Sequence, residues 1–353
     1  MSVDSFRRKK TARTEGTGAF RLQDEGPIRN RLSLWTNSPG LKAEILRSLV
    51  RGAEAPRSLP SSCDCPGVCV DLPIPPGDSL YSRGTGERMG RKLAIIYNVV
   101  PDGDSLAARA AQYFAEMTWE AVASRGRARI AISGGSTPQK TFEMLANPSL
   151  PWRARVPWEN LDIFWVDERT VGPDAADSNF RMTREALLDH VPLKHGQIHR
   201  IEGELEPAAA AARYESELRN TFRLEGAEYP RFDLVALGMG KDGHTASLFP
   251  RTEAIHAMSQ LVAANHVPQL DTWRITLTWP VINHANSVFF LIGGADKAEV
   301  LKEVLMGPRD PERLPSQLIW PSSGILTLIL DKAAAALLPA TDSQGCGVLE
   351  RER

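Results

Sequence analysis

From Lys92 onward the chain alternates short, continuously apolar runs with longer segments whose apolar residues recur at helical spacing. KLAIIYNVV (92–100) precedes residues 104–124, where Leu106, Ala110, Tyr113, Phe114 and Met117 fall on one helical face. RARIAIS leads into the helix PQKTFEMLA. LDIFWVDE leads into NFRMTREALLDHV and then PAAAAARYESELRNTF, and FDLVALG runs into a glycine-rich stretch. WRITLT, SVFFLIGG and GILTLIL are later strands, and the last two are followed by predicted helices at 296–305 and 331–338. A strand apolar on both faces must be covered on both faces, and the intervening helices supply the cover. The pattern predicts an α/β fold: a mostly parallel, doubly wound (Rossmann-like) sheet with helices on both faces, in a single domain.

That domain is expected over 89–340, with a polar tail at 341–353. Residues 1–88 carry 14 Lys+Arg against 10 Asp+Glu and are broken by Pro, Gly and Ser; only LKAEILRSLV has helical periodicity. Such a segment cannot offset its ordering entropy, so a disordered Pro/Ser/Arg-rich leader is expected, and the working protein should need none of it. Cys63, Cys65 and Cys69 lie in this leader and Cys346 far away, a spread that makes neither a disulfide framework nor a metal clip. With a net charge of −1 there is no basic field for nucleic acid or a membrane surface. No apolar run approaches the ~20 residues that span a bilayer, and no apolar segment follows the charged N-terminus as a secretory signal would require. A cytoplasmic protein acting on a small molecule is expected; oligomeric state is not legible.

Ligands of such sheets bind where strands end and helices begin. Ser133, Gly134, Gly135, Ser136, Thr137 and Pro138 form one such junction, and its backbone N–H groups and helix dipole suit a phosphate. A tight turn with a helix cap accounts for the same residues. Asp167, Glu168 and Arg169 follow a buried strand; they fit a rim salt bridge or, through the planar arginine fork, an anion site. VALGMGKDGHTASLFP (235–250) has the Gly-x-Gly-x-x-Gly spacing of a dinucleotide loop. That fingerprint also needs a helix start and an acid about 20 residues later. HTASLFPRTEA starts a helix poorly, and LVAANHVP has no acid. His244, directly after the glycines, is then the residue to explain, and imidazole suits proton transfer at neutral pH. His190, His195, His199, His256, His266 and His284 are given no role. Arg274 in WRITLT and Lys297 in GGADKAEVL suit an anion, although Lys297 alone is more often a surface lysine.

Together SGGSTP, WVDERTVGPDAADSNFRM, LGMGKDGHTASLFP, RITLTWPVINHA, GGADKAEVL and LPSQLI, in this order across 92–338, resemble the 6-phosphogluconolactonase family. This family lies within the larger glucosamine-6-phosphate isomerase/lactonase group. The resemblance implies hydrolysis of 6-phospho-D-glucono-1,5-lactone to 6-phosphogluconate, in the oxidative pentose phosphate pathway, with no cofactor and no metal. It implies His244 as the general base, with Arg169 and Asp167 in the catalytic set. Ser133 to Thr137, Gly240, Asp242, Gly243, Arg274 and Lys297 are implied to hold substrate, chiefly its phosphate. Two rivals remain open. The sister deaminases carry His-Ile-Ala-Phe-Asn-Glu-Pro, and here Phe249 stands where their glutamate does. A sugar-phosphate-binding regulator without catalysis is the other.

Overall fold

The computed structural model describes residues 92–323 and 325–352; the leader expected at 1–88, with three of the four cysteines, lies outside them. In chain order the strands and α-helices are β1 (Lys92–Val100), α1 (Gly103–Arg125), β2 (Ala128–Ile132), α2 (Ser136–Ala146), α3 (Pro151–Arg155), β3 (Leu161–Trp165) and β4 (Asp167–Arg169). Then come α4 (Asn179–Ala186), β5 (Ile198–His199), α5 (Pro207–Phe222), β6 (Leu234–Leu237), β7 (Val262–Val267) and β8 (Thr272–Leu277). α6 (Trp279–Asn283), β9 (Val288–Ile292), α7 (Ala298–Met306), β10 (Ile325–Asp331) and β11 (Cys346–Glu352) complete the set.

The main sheet has the order β11-β1-β10-β9-β6-β2-β3-β5. Every neighbouring pair is parallel except β11, which runs antiparallel to β1. From β1 the chain crosses to β2, β3 and β5 in one direction, then returns through β6, β9 and β10 in the other. With right-handed crossovers, α1 to α4 cover one face while α5 and α7 cover the opposite face. The sheet is thus doubly wound and α/β, as the strand pattern predicts. All five residues of β3 and of β9 are buried, and all but Asp162 are apolar, which is why neither segment alternates. The long helix α1 lays Leu106, Ala107, Ala110, Ala111 and Phe114 into the core. It starts where the Asp102 carboxylate accepts from Ser105 N–H (2.8 Å) and stops at Gly126 in the left-handed region (φ 77). A side-chain cap of that kind satisfies one of the N–H groups that a helix start leaves without a partner.

The chain leaves β2 toward one face and the adjacent β6 toward the other. The crevice beyond their carboxyl ends is therefore the switch point at which such sheets bind ligands.

Three expectations need correction. The stretch WRITLT belongs to a separate antiparallel sheet, β4-β8-β7, that strand-by-strand patterning did not separate from the main one. Val166 joins the two: its N–H donates to Ile132 O (2.9 Å) and its carbonyl accepts from Leu277 N (2.7 Å). Residues 332–337 form turns in place of the predicted helix at 331–338. The Asp331 carboxylate takes the Ala334 N–H, and Pro339 lies just beyond. The polar tail at 341–353 contains β11, whose Gly347 lies so close to the Tyr97 ring that a Cβ there would sit 2.0 Å from it.

Candidate active site

Three loops and one strand of the small sheet meet at the switch point. The loop after β2 is tied to β6 by Ser133, whose hydroxyl donates to Ala236 O (2.8 Å). Gly135 caps α2 without any side-chain hydrogen bond, so no side chain claims the N–H groups of the first turn. An uncapped helix start of this kind carries about half a positive charge and attracts an anion.

The loop after β6 is built around one imidazole. A Cβ on Gly240 would lie 2.1 Å from His244 Nδ1 and 2.6 Å from Asp242 Oδ1, so only glycine fits beneath this pair. Gly243 turns the chain with φ 76, and its N–H donates to Gly240 O (3.1 Å) while Gly240 N–H donates to His244 O (2.9 Å). His244 Nδ1 lies 2.6 Å from Asp242 Oδ1, and the same oxygen accepts the His244 backbone N–H (3.2 Å). A carboxylate at Nδ1 fixes the ring proton there and leaves the Nε2 lone pair free. Nε2 has no hydrogen-bond partner among the described residues. Burial works to raise the Asp242 pKa, but the hydrogen bond and charge of His244 outweigh it and hold the acid below its usual range. Phe249 stacks on the ring (centroids 4.1 Å apart, planes at 24°).

The loop after β9 brings Lys297, whose side chain is 19% exposed, with Nζ 3.7 Å from Asp296 Oδ2. Lys241 Nζ lies 3.2 Å from that same oxygen, which couples this loop to the His244 loop.

From the small sheet, Asp167 is buried and its Oδ2 accepts from Ser247 Oγ (2.6 Å), anchoring the chain just past His244. The Arg169 guanidinium donates to Asp177 O. Glu168 points elsewhere and caps α4, accepting from the N–H groups of Asn179 (2.7 Å) and Phe180 (2.8 Å) and from Ser178 Oγ (3.1 Å). Burial raises its pKa against the lowering effect of those donors.

These parts enclose a cleft of ≈ 270 Å³, lined by Ser133 to Pro138, Asp167, Arg169, Gly240, His244 and Lys297 among others. It is smaller than the ~300–1,000 Å³ of drug-sized pockets, which suits a compact metabolite. Asp242 and Gly243 support His244 from behind and are not in the wall. Arg274 is not in the wall either. It is the register partner of Arg169 across β4 and β8, and its guanidinium donates to Thr272 Oγ1 (3.0 Å) and Trp273 O (2.9 Å). Burial, then the charge of Arg169, lowers its pKa.

Sequence patterning passes over Asn179, which lines the cleft and donates to Asp167 O (2.9 Å). It also passes over Ala246, in the wall at φ 49, and the packing of Phe249 on His244. The run DSNF, a serine cap ahead of a polar first turn, was the available signal for Asn179.

A model of the family described as glucosamine-6-phosphate isomerases/6-phosphogluconolactonase matches residues 101–328. The chain is 41% identical over 241 residues to a 6-phosphogluconolactonase of Nostoc sp., covering 68% of this chain and 97% of the relative. It is 40% identical over 221 residues to one of Synechocystis sp., covering 62% and 89%. The solved 6-phosphogluconolactonase from Trypanosoma cruzi aligns with a TM-score of 0.60 at 31% identity, covering 69% of this chain and 97% of that one.

Proposed function

Because this chain belongs to the glucosamine-6-phosphate isomerase/6-phosphogluconolactonase family, we propose that it hydrolyses 6-phospho-D-glucono-1,5-lactone to 6-phospho-D-gluconate. It would do so as a cytoplasmic enzyme of the oxidative pentose phosphate pathway. The observation that carries the mechanism is the Asp242–His244 pair in the cleft wall, bonded through Nδ1. No helix among the described residues is long and apolar enough to cross a membrane.

Water attacks the C1 carbonyl while His244 Nε2 takes its proton, giving a tetrahedral oxyanion and an imidazolium held by Asp242. Collapse of that intermediate breaks the bond from C1 to the ring oxygen, and Nε2 returns its proton to the departing oxygen. The product gains one carboxylic acid, which ionises at neutral pH. The α2 N-terminus, Ser136, Thr137 and Lys297 hold the phosphate, and Arg169, with Arg274 behind it, faces the developing negative charge. Asp167 keeps the loop beyond His244 in place through Ser247. A positioned base supplies roughly 10²–10⁴-fold, oxyanion donors a comparable factor, and a ring ester needs no covalent nucleophile. Phe249 stacked on His244 occupies the place where the sister deaminases carry an acid, which favours the lactonase.

A pH-stat assay with freshly prepared lactone tests this. The wild type consumes base well above the spontaneous rate, and His244→Ala loses at least about a hundredfold in kcat. The variant still binds 6-phosphogluconate. An alanine variant that is folded by circular dichroism and turns over at the wild-type rate would sink the proposed base.

A further inference from the structure

Asp331 is a buried acid that the mechanism above does not use. It ends β10, opposite Val100 of β1, and is 8% exposed. Both of its oxygens accept backbone N–H groups: Oδ1 from Ala334 (2.7 Å) and Oδ2 from Gly294 (2.9 Å). No cation pairs with it among the described residues. Gly293 packs directly on it, since a Cβ there would lie 2.9 Å from Asp331 Oδ2. Gly294 holds φ 99, a conformation side chains rarely adopt, and its carbonyl accepts from Lys297 N (3.1 Å). The carboxylate thus sits under the turn that delivers Lys297 to the cleft.

From this geometry we infer that Asp331 is a positioning residue for substrate binding, locking the Gly293–Gly294 turn so that Lys297 meets the phosphate. The inference rests on Lys297 as a phosphate ligand. An acid is required because both partners are donors. Asparagine, of the same shape, would turn its NH₂ toward one of those N–H groups and leave a buried donor unpaired. By charge alone a carboxylate beside an anion-binding loop opposes binding. Its presence there follows from its two acceptors.

The test is a cycle of Asp331→Asn, Lys297→Ala and the double variant, with kcat, KM and thermal melting measured on each full-length protein. Asp331→Asn is expected to raise KM about tenfold, as expected when a buried donor loses its charged acceptor, with kcat within about twofold. In the Lys297→Ala background it should add less than about twofold, because two residues acting through one contact are not additive. An unchanged KM for Asp331→Asn, an additive double variant, or a fall in kcat at unchanged KM would each overturn the inference while leaving Lys297 as a ligand. Lys297→Ala with an unchanged KM would overturn that ligand assignment and the inference with it. Should Asp331→Asn not fold, amide hydrogen exchange on the wild type decides. The Gly294 N–H is expected to exchange at least about a hundredfold more slowly than an unprotected amide, and unprotected exchange would overturn the inference.

Discussion

At the residue scale, Asp242 and His244 form a unit within one turn of chain. Asp242→Asn keeps the volume but no longer dictates which ring nitrogen carries the proton. A fall in kcat of at least about tenfold at nearly constant KM is expected, in line with the loss of groups that orient a working histidine. Steady-state kinetics check it; an unchanged kcat would mean the ring needs no orienting acid. The sequence singles out His244 because the glycines before it fail as a nucleotide loop, and the structure puts it in the cleft wall. The reason for Gly240 was not, since it lies in the 2.1 Å that separate its missing Cβ from the imidazole. Phe249 could be read only as an acid that is absent. Its stacking on His244 is a tertiary contact, and nothing in local spacing encodes it.

At the element scale, the sequence carried the main sheet because strands buried on both faces are written as uninterrupted apolar runs. The small sheet was not separable: DER is too short for a pattern, and WRITLT looks the same in either sheet. Helix 331–338 failed for a different reason: its alanines favour helix and Asp331 caps the first turn through Ala334 N–H, but Pro339 stops the run before it can lengthen. β11 was hidden by its charges; Val348 is exposed and Leu349 half-buried, a faint alternation. Yet β11 pairs along β1 from Lys92 to Asn98 and covers Tyr97. Removal of residues 341–353 is therefore expected to lower the melting temperature, through the ladder and core contacts it removes. Turnover per folded molecule should survive, because the cleft lies at other strands. Thermal denaturation of the truncated protein checks this, and an unshifted transition would show that β1 needs no outer neighbour.

Across the whole molecule, a partly buried ionic network around Asp162 ties the start of β3 to β5 and α5. Asp162 takes both Nε and Nη2 of Arg127, His199 Nδ1 lies 2.7 Å from Glu217 Oε1, and His199 Nε2 lies 4.0 Å from Asp162 Oδ1. Arg129 stands over Phe222 at 4.9 Å and approaches Asp162 at 3.7 Å. Burial opposes charge on His199, but Asp162 and Glu217 outweigh it and raise its pKa. Burial also opposes charge on Asp162, and there Arg127 and His199 outweigh it and lower its pKa. The histidine's stabilising share is complete below its unfolded pKa and is lost as pH rises through the raised folded value. The aspartate's share is present above its unfolded pKa and is lost as pH falls through the depressed one. Melting temperature should therefore peak between those limits, and His199→Gln should flatten the alkaline limb; a limb unchanged in that variant would exclude the network. The strand order has a further consequence, and it concerns time. β1 is the first described strand to leave the ribosome, but its only neighbours are β10 and β11, the last two. Through nearly all of synthesis an apolar strand waits with both edges open, while its partners do not yet exist. An open apolar strand of this kind is a site for pairing with other copies of the nascent chain, and for holding chaperones, until its final strands arrive.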